Sequence, residues 1–355
     1  YLGLQTNPWA MACGVGASIF LGWGSWRWIE EITRSLKWPA RKWLLFFVIA
    51  LCSIAGATIS IYTHKGFESR VPQALLDLAR GAQDKNPRLG ECLKSDLPQP
   101  HCTYGGAVLG AIVVGDSHGA SIVRTVEQSL PQKRLHVLDW SLSSCPTILG
   151  LQGVTGYRAC PEFVPDALRQ SAVLPSFVPL IVMNRLSVYP FGQHNAVQEE
   201  FLPYYFGPDP IRFIDRDDAY LQQFRQAVIE TTCAFAKTRP VYLVRPIPEM
   251  PVDVPRSSNA IGGRFLRGKT VPDISISLHD YHQRHAWAWE VQDAAAKQCG
   301  AKILDPLPYL CWDGRCHGIK NGKALYYDDD HLSETGARLL LPMFRSVFAP
   351  EPSKP

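Results

Sequence analysis

The sequence lacks a strong net charge, because 36 Lys and Arg residues stand against 32 Asp and Glu residues and leave a formal charge of +4. It also lacks a cluster of Lys and Arg interleaved with aromatic residues, so nucleic acid is not an expected partner. It has no internal repeat and no low-complexity tract, which excludes a repeat protein. What it contains instead is 46% hydrophobic and 19% charged residues, which suits a globular domain together with a more apolar segment.

Two uncharged apolar runs near the N-terminus supply that segment. They are Trp9–Trp26 and Trp43–Thr63. Each run approaches or meets the length needed to cross a hydrocarbon core of about 30 Å, and a signal peptide would have a single shorter run. We therefore expect two transmembrane helices; the alternative is a pair of buried helices in a soluble protein.

The segment between the two runs is basic. Its positive residues outnumber Glu30 and Glu31, and they are Arg27, Arg34, Lys37, Arg41 and Lys42. Because short loops rich in Lys and Arg stay in the cytoplasm, the second helix should run outward and leave the chain after His64 outside the cytoplasm. The chain begins with Tyr1 rather than Met, so we expect a fragment or a processed product.

Cysteine usage agrees with an exported domain. Of the 10 cysteines, Cys13 and Cys52 fall in the apolar runs and the others form an even set. An even set in an oxidising compartment suggests disulfides. We expect the pairs Cys92–Cys102, Cys145–Cys160, Cys233–Cys299 and Cys311–Cys316. A zinc site at CWDGRCH is the alternative for the last pair, but it has no second ligand pair nearby, and we expect no metal.

Short apolar runs alternate with helix-like stretches in the C-terminal part. The expected strands are Val108–Val114, Leu135–Trp140, Val178–Met183, Val241–Arg245 and Lys302–Leu304, and the expected helices are Ala120–Leu130, Asp217–Lys237, Tyr281–Gln298 and Ser333–Val347. This alternation predicts a parallel sheet with helices on both faces and a site at the carboxyl ends of the strands. The expected boundaries are 1–64 for the membrane segment, 65–104 for a linker and extension, and 105–350 for the α/β domain.

The stretch VVGDSHGAS places Ser117 between the first of these strands and the next helix. At that position, free backbone N–H groups and the positive helix end can stabilise an oxyanion. A serine hydroxyl needs a positioned base to act as a nucleophile, and the neighbouring His118 points the wrong way on a tight turn. The alternative for Ser117 is a helix cap.

A candidate base lies near the C-terminus, in YYDDDHLSETGA. The spacing of Asp328 and His331 lets a turn place the carboxylate against one imidazole nitrogen while the other nitrogen faces Ser117. The alternative is an acidic surface turn or a calcium site, although EF-hand spacing is missing. Asp329 and Asp330 are expected to be solvated or to cap a helix.

GDSH at 115–118 with D-x-x-H-L-S at 328–333 resembles the first and last blocks of the SGNH hydrolase superfamily. The resemblance implies a flavodoxin-like three-layer α/β/α sandwich and a catalytic triad of Ser117, His331 and Asp328.

In that superfamily, the Ser N–H, a Gly N–H and an Asn side chain form the oxyanion hole. Asn184 in VMNRLSVY matches the Asn, whereas Arg185 replaces the Asp that usually follows it. For the Gly, the stretch WSLSSCP offers Ser143 or Ser144, and we assign Ser144 to the hole together with Ser117 and Asn184. Arg185 is expected either to contact glycan or to pair within the protein.

A longer pattern narrows the resemblance. Two apolar runs joined by SWRWIEEITR, then GFESR, SSCP, NRLSVY, RPIPE, a C-x4-C loop and LYYDDDHLS are similar to the periplasmic SGNH domain fused to acyltransferase-3 membrane proteins. This implies an O-acetyltransferase of the bacterial inner membrane with its C-terminal domain in the periplasm. The upstream membrane domain of the same polypeptide would be its partner, and a surface glycan or lipid-linked glycan, such as O-antigen or exopolysaccharide, would accept the acetyl group.

The same resemblance implies that the C-terminal domain binds no cofactor, and that acetyl-CoA is the ultimate acyl donor through the membrane domain. Two alternatives remain open. One is a periplasmic carbohydrate or acetyl esterase with the same triad, and the other is a non-catalytic domain that presents glycan.

Overall fold

The computed structural model of the protein describes residues 8–35, 38–64, 72–95, 102–153, 159–194, 204–206, 217–257 and 273–349. The chain divides into two compact units. The first consists of Tyr1–Leu76 with Ser257–Val271, and the second consists of Asp77–Arg256 with Pro272–Pro355.

The first unit contains helix α1 (Pro8–Gly24), a π-helical segment (Ser25–Glu30), α2 (Glu31–Ser35) and α3 (Ala40–Thr63). Among the described residues, α3 is the one helix long and apolar enough to cross a membrane, by length and composition. The first expected span begins in α1, which has 17 residues and passes without a break into the π-helical segment and α2. Two transmembrane helices therefore remain a prediction, with one candidate present.

The second unit is built around a six-stranded sheet. The strands in the described part of the chain are β1 (Cys102–Gly105), β2 (Val108–Gly115), β3 (Leu135–Ser141), β4 (Leu151–Gly153), β5 (Leu180–Met183), β6 (Tyr204–Phe206), β7 (Val241–Val244), β8 (Ser275–Ser277), β9 (Lys302–Leu304), β10 (Cys311–Trp312), β11 (Arg315–His317), β12 (Ile319–Lys320) and β13 (Lys323–Ala324). The main sheet has the order β1-β3-β2-β5-β7-β9, and smaller sheets join β10-β11-β8, β12-β13 and β4-β6.

The main sheet is largely parallel. Strand β1 pairs antiparallel with β3, and every other neighbouring pair is parallel. Numbered among themselves, the five parallel strands have the spatial order 2-1-3-4-5, which is the doubly wound order of flavodoxin-like folds. The predicted parallel α/β sheet is confirmed.

Helices cover both faces of this sheet. Among the described residues from Gln73 onward, the helices are α4 (Gln73–Arg80), α5 (Leu89–Cys92), α6 (Ser117–Ser129), α7 (Cys160–Ser171), α8 (Val188–Phe191), α9 (Asp218–Ala236), α10 (Leu278–Cys299), α11 (Leu307–Leu310), α12 (Glu334–Arg338) and α13 (Leu341–Arg345). On one face, Ile112 and Val114 belong to a buried cluster with side chains from α7, α9 and α10. Val113 points to the opposite face because strand residues alternate, and there it lies beside Gly119 of α6.

The expected helix Ser333–Val347 is interrupted. Helix α12 ends at Arg338 and α13 begins at Leu341, with Pro342 in its first turn. Proline has no N–H and its ring clashes with the preceding turn, so one continuous helix cannot pass through this position. Gly336 lets α12 pack closely against the chain before the D-x-x-H turn, because a Cβ at this position would lie 2.0 Å from the Leu325 carbonyl oxygen.

Disulfides join distant and local parts of the second unit. The four expected pairs are all present: Cys92–Cys102, Cys145–Cys160, Cys233–Cys299 and Cys311–Cys316. The Cys311–Cys316 bond uses both sulfurs of CWDGRCH, so the zinc alternative is wrong for this state. Cys92–Cys102 fastens α5, in the expected extension, to the edge strand β1.

Candidate active site

Ser117 begins α6 directly after a tight turn out of β2. Strand β5 lies beside β2 here, and a Cβ on Gly115 would stand 2.0 Å from the Met183 carbonyl oxygen. Only glycine permits this approach, which lets the chain pass from the strand straight into the helix. Ser117 consequently lies at the carboxyl edge of the sheet, between the first and third parallel strands. In doubly wound folds, the strand order reverses at this point and ligands bind there.

Asp116, the residue before the serine, caps α6 and organises the turn. Its Oδ1 accepts a hydrogen bond from the His118 N–H at 2.8 Å. Its Oδ2 accepts from the Arg185 N–H at 2.8 Å and from the Tyr189 hydroxyl at 2.6 Å. This buried carboxylate therefore ties the turn that carries Ser117 to the loop after β5.

His331 connects Ser117 to Asp328. Its Nε2 lies 2.7 Å from Ser117 Oγ, and its Nδ1 lies 2.8 Å from Asp328 Oδ2. The turn fixes Asp328 as well, because Asp328 Oδ1 accepts the backbone N–H groups of Asp330 at 3.0 Å and His331 at 2.7 Å. The structure brings together the three residues selected from the sequence, in an order that allows the imidazole to take the serine proton.

Asp330 differs from its expectation. It is neither solvated nor a helix cap: the residue is 4% exposed. Its Oδ1 lies 2.7 Å from His331 Nδ1, its Oδ2 contacts the Arg185 guanidinium, and the same oxygen is 3.8 Å from His118 Nε2. The contacts of Asp330 could not be predicted from the run of three aspartates, because its burial depends on Arg185, which is far away in the sequence.

The charges around His331 favour its protonated form. Burial alone would lower the pKa of His331, but the carboxylates of Asp330 and Asp328 outweigh burial and raise it. The pKa of Asp330 moves the other way: burial would raise it, and the facing imidazoles of His331 and His118 hold it well below its ordinary value. The Tyr327 ring stacks on the His331 ring at 5.2 Å between centroids and restricts its rotation.

Asn184 follows β5 as Ser117 follows β2, so both residues lie at the same edge of the sheet. Asn184 Oδ1 accepts hydrogen bonds from the backbone N–H and the hydroxyl of Thr147, both at 3.2 Å. These two donors fix the amide orientation and leave Nδ2 as the donating atom. A preorganised N–H donor at this edge is what an oxyanion hole requires. Thr147 carries no signal in the sequence beyond its polarity.

The two candidates for the glycine position in the oxyanion hole have different backbones. The Ser143 N–H already donates to the Lys94 carbonyl oxygen at 2.7 Å. Ser144 has a φ of 58°, in the left-handed region that favours glycine. The conformation of Ser144, rather than its side chain, therefore matches the residue that this position usually holds.

Arg185 belongs to a buried ion cluster. Its Nε lies 2.8 Å from Glu249 Oε1, its guanidinium contacts Asp330, and it donates to Gln193 Oε1 at 2.7 Å. Arg284 lies 3.1 Å from the other oxygen of Glu249. Burial alone would raise the pKa of Glu249, but the charges of Arg185 and Arg284 outweigh it and lower the pKa to about 2. Because the Arg185 guanidinium faces protein carboxylates, this placement favours the expected pairing over a glycan contact.

The donor atoms of His118, Asp330 and His331 lie within 4.8 Å of one another, a spacing that a small cation could bridge. However, the Arg185 guanidinium already neutralises Asp330, and both nitrogens of His331 already have partners in Asp328 and Ser117. Arg185 thus supplies the positive charge that stabilises the Asp330 carboxylate in this cluster.

A serine at a helix N-terminus, bonded to an imidazole that is bonded to a carboxylate, on a doubly wound sheet, defines the class of acyl-transfer or hydrolase enzymes. Residues 91–346 match the family described as the SGNH domain (fused to AT3 domains), and the chain belongs to this family. No curated protein matches the sequence.

Solved structures are similar to 68% of the chain at low sequence identity. One is the periplasmic domain of the lipopolysaccharide acetyltransferase of Salmonella ser. Paratyphi A, with 14% identity, 84% of that chain covered and a TM-score of 0.47. Another is a carbohydrate acetylesterase from Sinorhizobium meliloti, with 16% identity, 98% coverage and a TM-score of 0.38. A third is the M. smegmatis aryl esterase, with 15% identity, 99% coverage and a TM-score of 0.38.

Proposed function

We propose that this chain is the O-acetyltransferase part of a membrane-bound enzyme that moves an acetyl group, through Ser117, to a hydroxyl group of a bacterial surface glycan or its lipid-linked precursor. The observation that carries the proposal is the continuous set of contacts from Ser117 Oγ through His331 to Asp328. A serine so placed can form an acyl-enzyme, which either water or a sugar hydroxyl can open.

In the first half of the reaction, Ser117 Oγ attacks the acetyl carbonyl carbon while His331 Nε2 takes the hydroxyl proton. The tetrahedral oxyanion is stabilised by the N–H groups of Ser117 and Ser144 and by Asn184 Nδ2. When the bond to the donor breaks, the leaving group takes the proton from His331, and the acetyl group remains on Ser117. Asp328 stabilises the imidazolium that exists between these two steps.

In the second half, a sugar hydroxyl gives its proton to His331 Nε2 and its oxygen attacks the acetyl carbon on Ser117. The same donors stabilise the second oxyanion. Collapse of this intermediate breaks the bond to Ser117 Oγ, which takes the proton back from His331. The products are an O-acetylated sugar and the free serine, so no cofactor is consumed in this domain.

The membrane segment and the disulfides support transfer outside the cytoplasm. Helix α3 has Arg41 and Lys42 at its beginning, and basic ends of membrane helices stay in the cytoplasm. The chain after α3 would then lie in the periplasm of a bacterial inner-membrane protein, and four disulfides fit that oxidising compartment. We further propose an upstream acyltransferase-3 domain in the same polypeptide that supplies acetyl groups derived from acetyl-CoA.

The test compares transfer with hydrolysis, using the full chain purified in detergent and p-nitrophenyl acetate as the acetyl donor. With a deacetylated O-antigen oligosaccharide present, we expect faster p-nitrophenol release and acetyl groups on the sugar. Hydrolysis that no oligosaccharide alters would make the enzyme an esterase.

Ser117→Ala is the matched control, since it removes one oxygen and should reduce turnover by at least about 10⁴-fold. If the variant restored full glycan acetylation in cells, the domain would present glycan without catalysing the reaction, and the proposal would be wrong.

A further inference from the structure

Two carboxylates face one ring nitrogen of His331. Asp328 Oδ2 and Asp330 Oδ1 lie 2.8 Å and 2.7 Å from Nδ1. Nδ1 carries one hydrogen, and a single carboxylate is sufficient to orient and stabilise the imidazole in a serine triad. The second carboxylate is therefore an addition to the triad.

Asp330 is held on its far side by Arg185. The guanidinium contacts Asp330 Oδ2, and Glu249 holds the guanidinium at 2.8 Å. Glu249 is held in turn by Arg284 at 3.1 Å. The backbone of Arg185 is fixed as well, because its N–H donates to Asp116 at 2.8 Å. The positive charge of Arg185 thus has a set position against the carboxylate that touches the imidazole.

We propose that Asp330 and Arg185 are positioning residues for His331, in which Asp330 is a second carboxylate at Nδ1 and Arg185, by holding the opposite oxygen of Asp330, limits how strongly Asp330 attracts the His331 proton. The inference rests on the proposed function in that His331 is taken as the base for Ser117. It gives a role to the arginine that stands where the superfamily pattern usually has an aspartate.

His331 has to be neutral to take the Ser117 proton, and each carboxylate in contact with Nδ1 stabilises the charged ring instead. In a buried site with a low effective dielectric, a cation on Asp330 weakens that stabilisation. Removing Arg185 should therefore make His331 harder to deprotonate, whereas removing the charge of Asp330 should make it easier.

Other groups also face His331 from the elements packed against it. The His118 ring of α6 lies 4.7 Å from the His331 ring between centroids, and Tyr327 stacks on it at 5.2 Å. Lys85 Nζ lies 5.9 Å from the Tyr327 ring centroid. Asp328 and the half-buried Asp329 complete the charged surroundings, and all of these groups are retained in the variants below.

The test is the pH dependence of kcat/KM for p-nitrophenyl acetate, measured on the full chain in detergent, because its acid limb reports the base of the free enzyme. Arg185→Gln should move the midpoint of this limb to higher pH and Asp330→Asn to lower pH, each by about one unit or more, as for one charge in contact. The double variant should follow Asp330→Asn, since Arg185 acts through Asp330. Arg185→Lys keeps the charge and should keep the midpoint near that of the wild type.

Arg284→Gln is the matched control. Arg284 and Arg185 side chains are both 12% exposed and both bind Glu249, so the two substitutions disturb the ion cluster to a similar degree. Arg284→Gln should destabilise the fold and leave the midpoint in place. Equal shifts for Arg284→Gln and Arg185→Gln, or slower turnover of Arg185→Gln and Asp330→Asn with no shift, would overturn the proposal and leave the proposed function intact.

A second readout does not depend on turnover. Isotope-labelled histidine gives the titration of His331 by NMR, with the signal assigned from His331→Gln, and the same order of midpoints is expected. If the wild type has no Ser117-dependent turnover, the proposed function fails, and the NMR midpoints of the Arg185 and Asp330 variants still decide this inference. If Arg185→Gln does not fold, Asp330→Asn and Arg185→Lys remain to test it.

Discussion

Replacing Glu249 with glutamine removes the carboxylate shared by two partly buried arginines and keeps the shape of the side chain. Glu249 is 3% exposed, and both of its oxygens have guanidinium partners, Arg185 at 2.8 Å and Arg284 at 3.1 Å. Removing one member of a buried ion pair is costly because it leaves a charge uncompensated. We therefore expect Glu249→Gln to lower the free energy of unfolding at neutral pH.

The magnitude follows from the pKa of Glu249, which is lowered from 4.5 to about 2 because the two arginines outweigh the effect of burial. At 1.36 kcal/mol per unit, this corresponds to about 3 kcal/mol of stability. Because the folded pKa lies below the unfolded one, this stability is present above about pH 4.5 and is lost as the pH falls toward 2. The difference between wild type and Glu249→Gln should therefore shrink across that window.

The assay is urea unfolding of the full chain in detergent at several pH values between 2 and 7. Glu230→Gln, which changes an exposed carboxylate on α9, serves as the control and should leave the curve unchanged. A difference between wild type and Glu249→Gln that stays constant from pH 7 to pH 2 would mean that the loss of stability comes from packing rather than from charge.

Two further predictions concern the oxyanion hole and the disulfides. Asn184→Ala should lower kcat for p-nitrophenyl acetate by about 10² to 10³-fold with little change in KM, because the donor acts on the transition state. A rise in KM of that size with kcat unchanged would contradict the assigned role. Replacing Cys233 and Cys299 with alanine removes a disulfide that closes a loop with a sequence separation of 66 residues. The same change at Cys311 and Cys316 removes one with a separation of 5 residues. By loop entropy these should cost about 4 and about 2 kcal/mol, and urea unfolding that reverses this order would contradict the estimate.

The strands of the sheet could be predicted because each one depends on the residues of a single short segment. Each buried parallel strand reads as a short apolar run, and the observed strands Val108–Gly115, Leu135–Ser141 and Lys302–Leu304 differ from the expected ones by at most a residue. The same local reading failed within Ser333–Val347, where the apolar pattern suggested one helix and Pro342 prevents it. The first membrane span stays a prediction, since α3 is the candidate span among the described residues.

The triad residues were found because each carries its own local signal: a polar residue at a strand end for Ser117, and the D-x-x-H spacing for Asp328 and His331. The residues around them carry none. Burial of Asp330 depends on Arg185, and the orientation of the Asn184 amide depends on Thr147, which comes from a different loop. Contacts between segments far apart in the chain appear only once the fold has brought them together.

In the proposed reaction, Ser117 carries the acyl group. The direct measurement is to mix the full chain with p-nitrophenyl acetate without acceptor, quench in acid, and locate the acetyl group by peptide mass spectrometry. We expect an acetyl ester on Ser117 that accumulates without acceptor, disappears when the deacetylated oligosaccharide is added, and forms slowly in His331→Gln. Acetyl on a different residue, or undiminished turnover in Ser117→Ala, would contradict it.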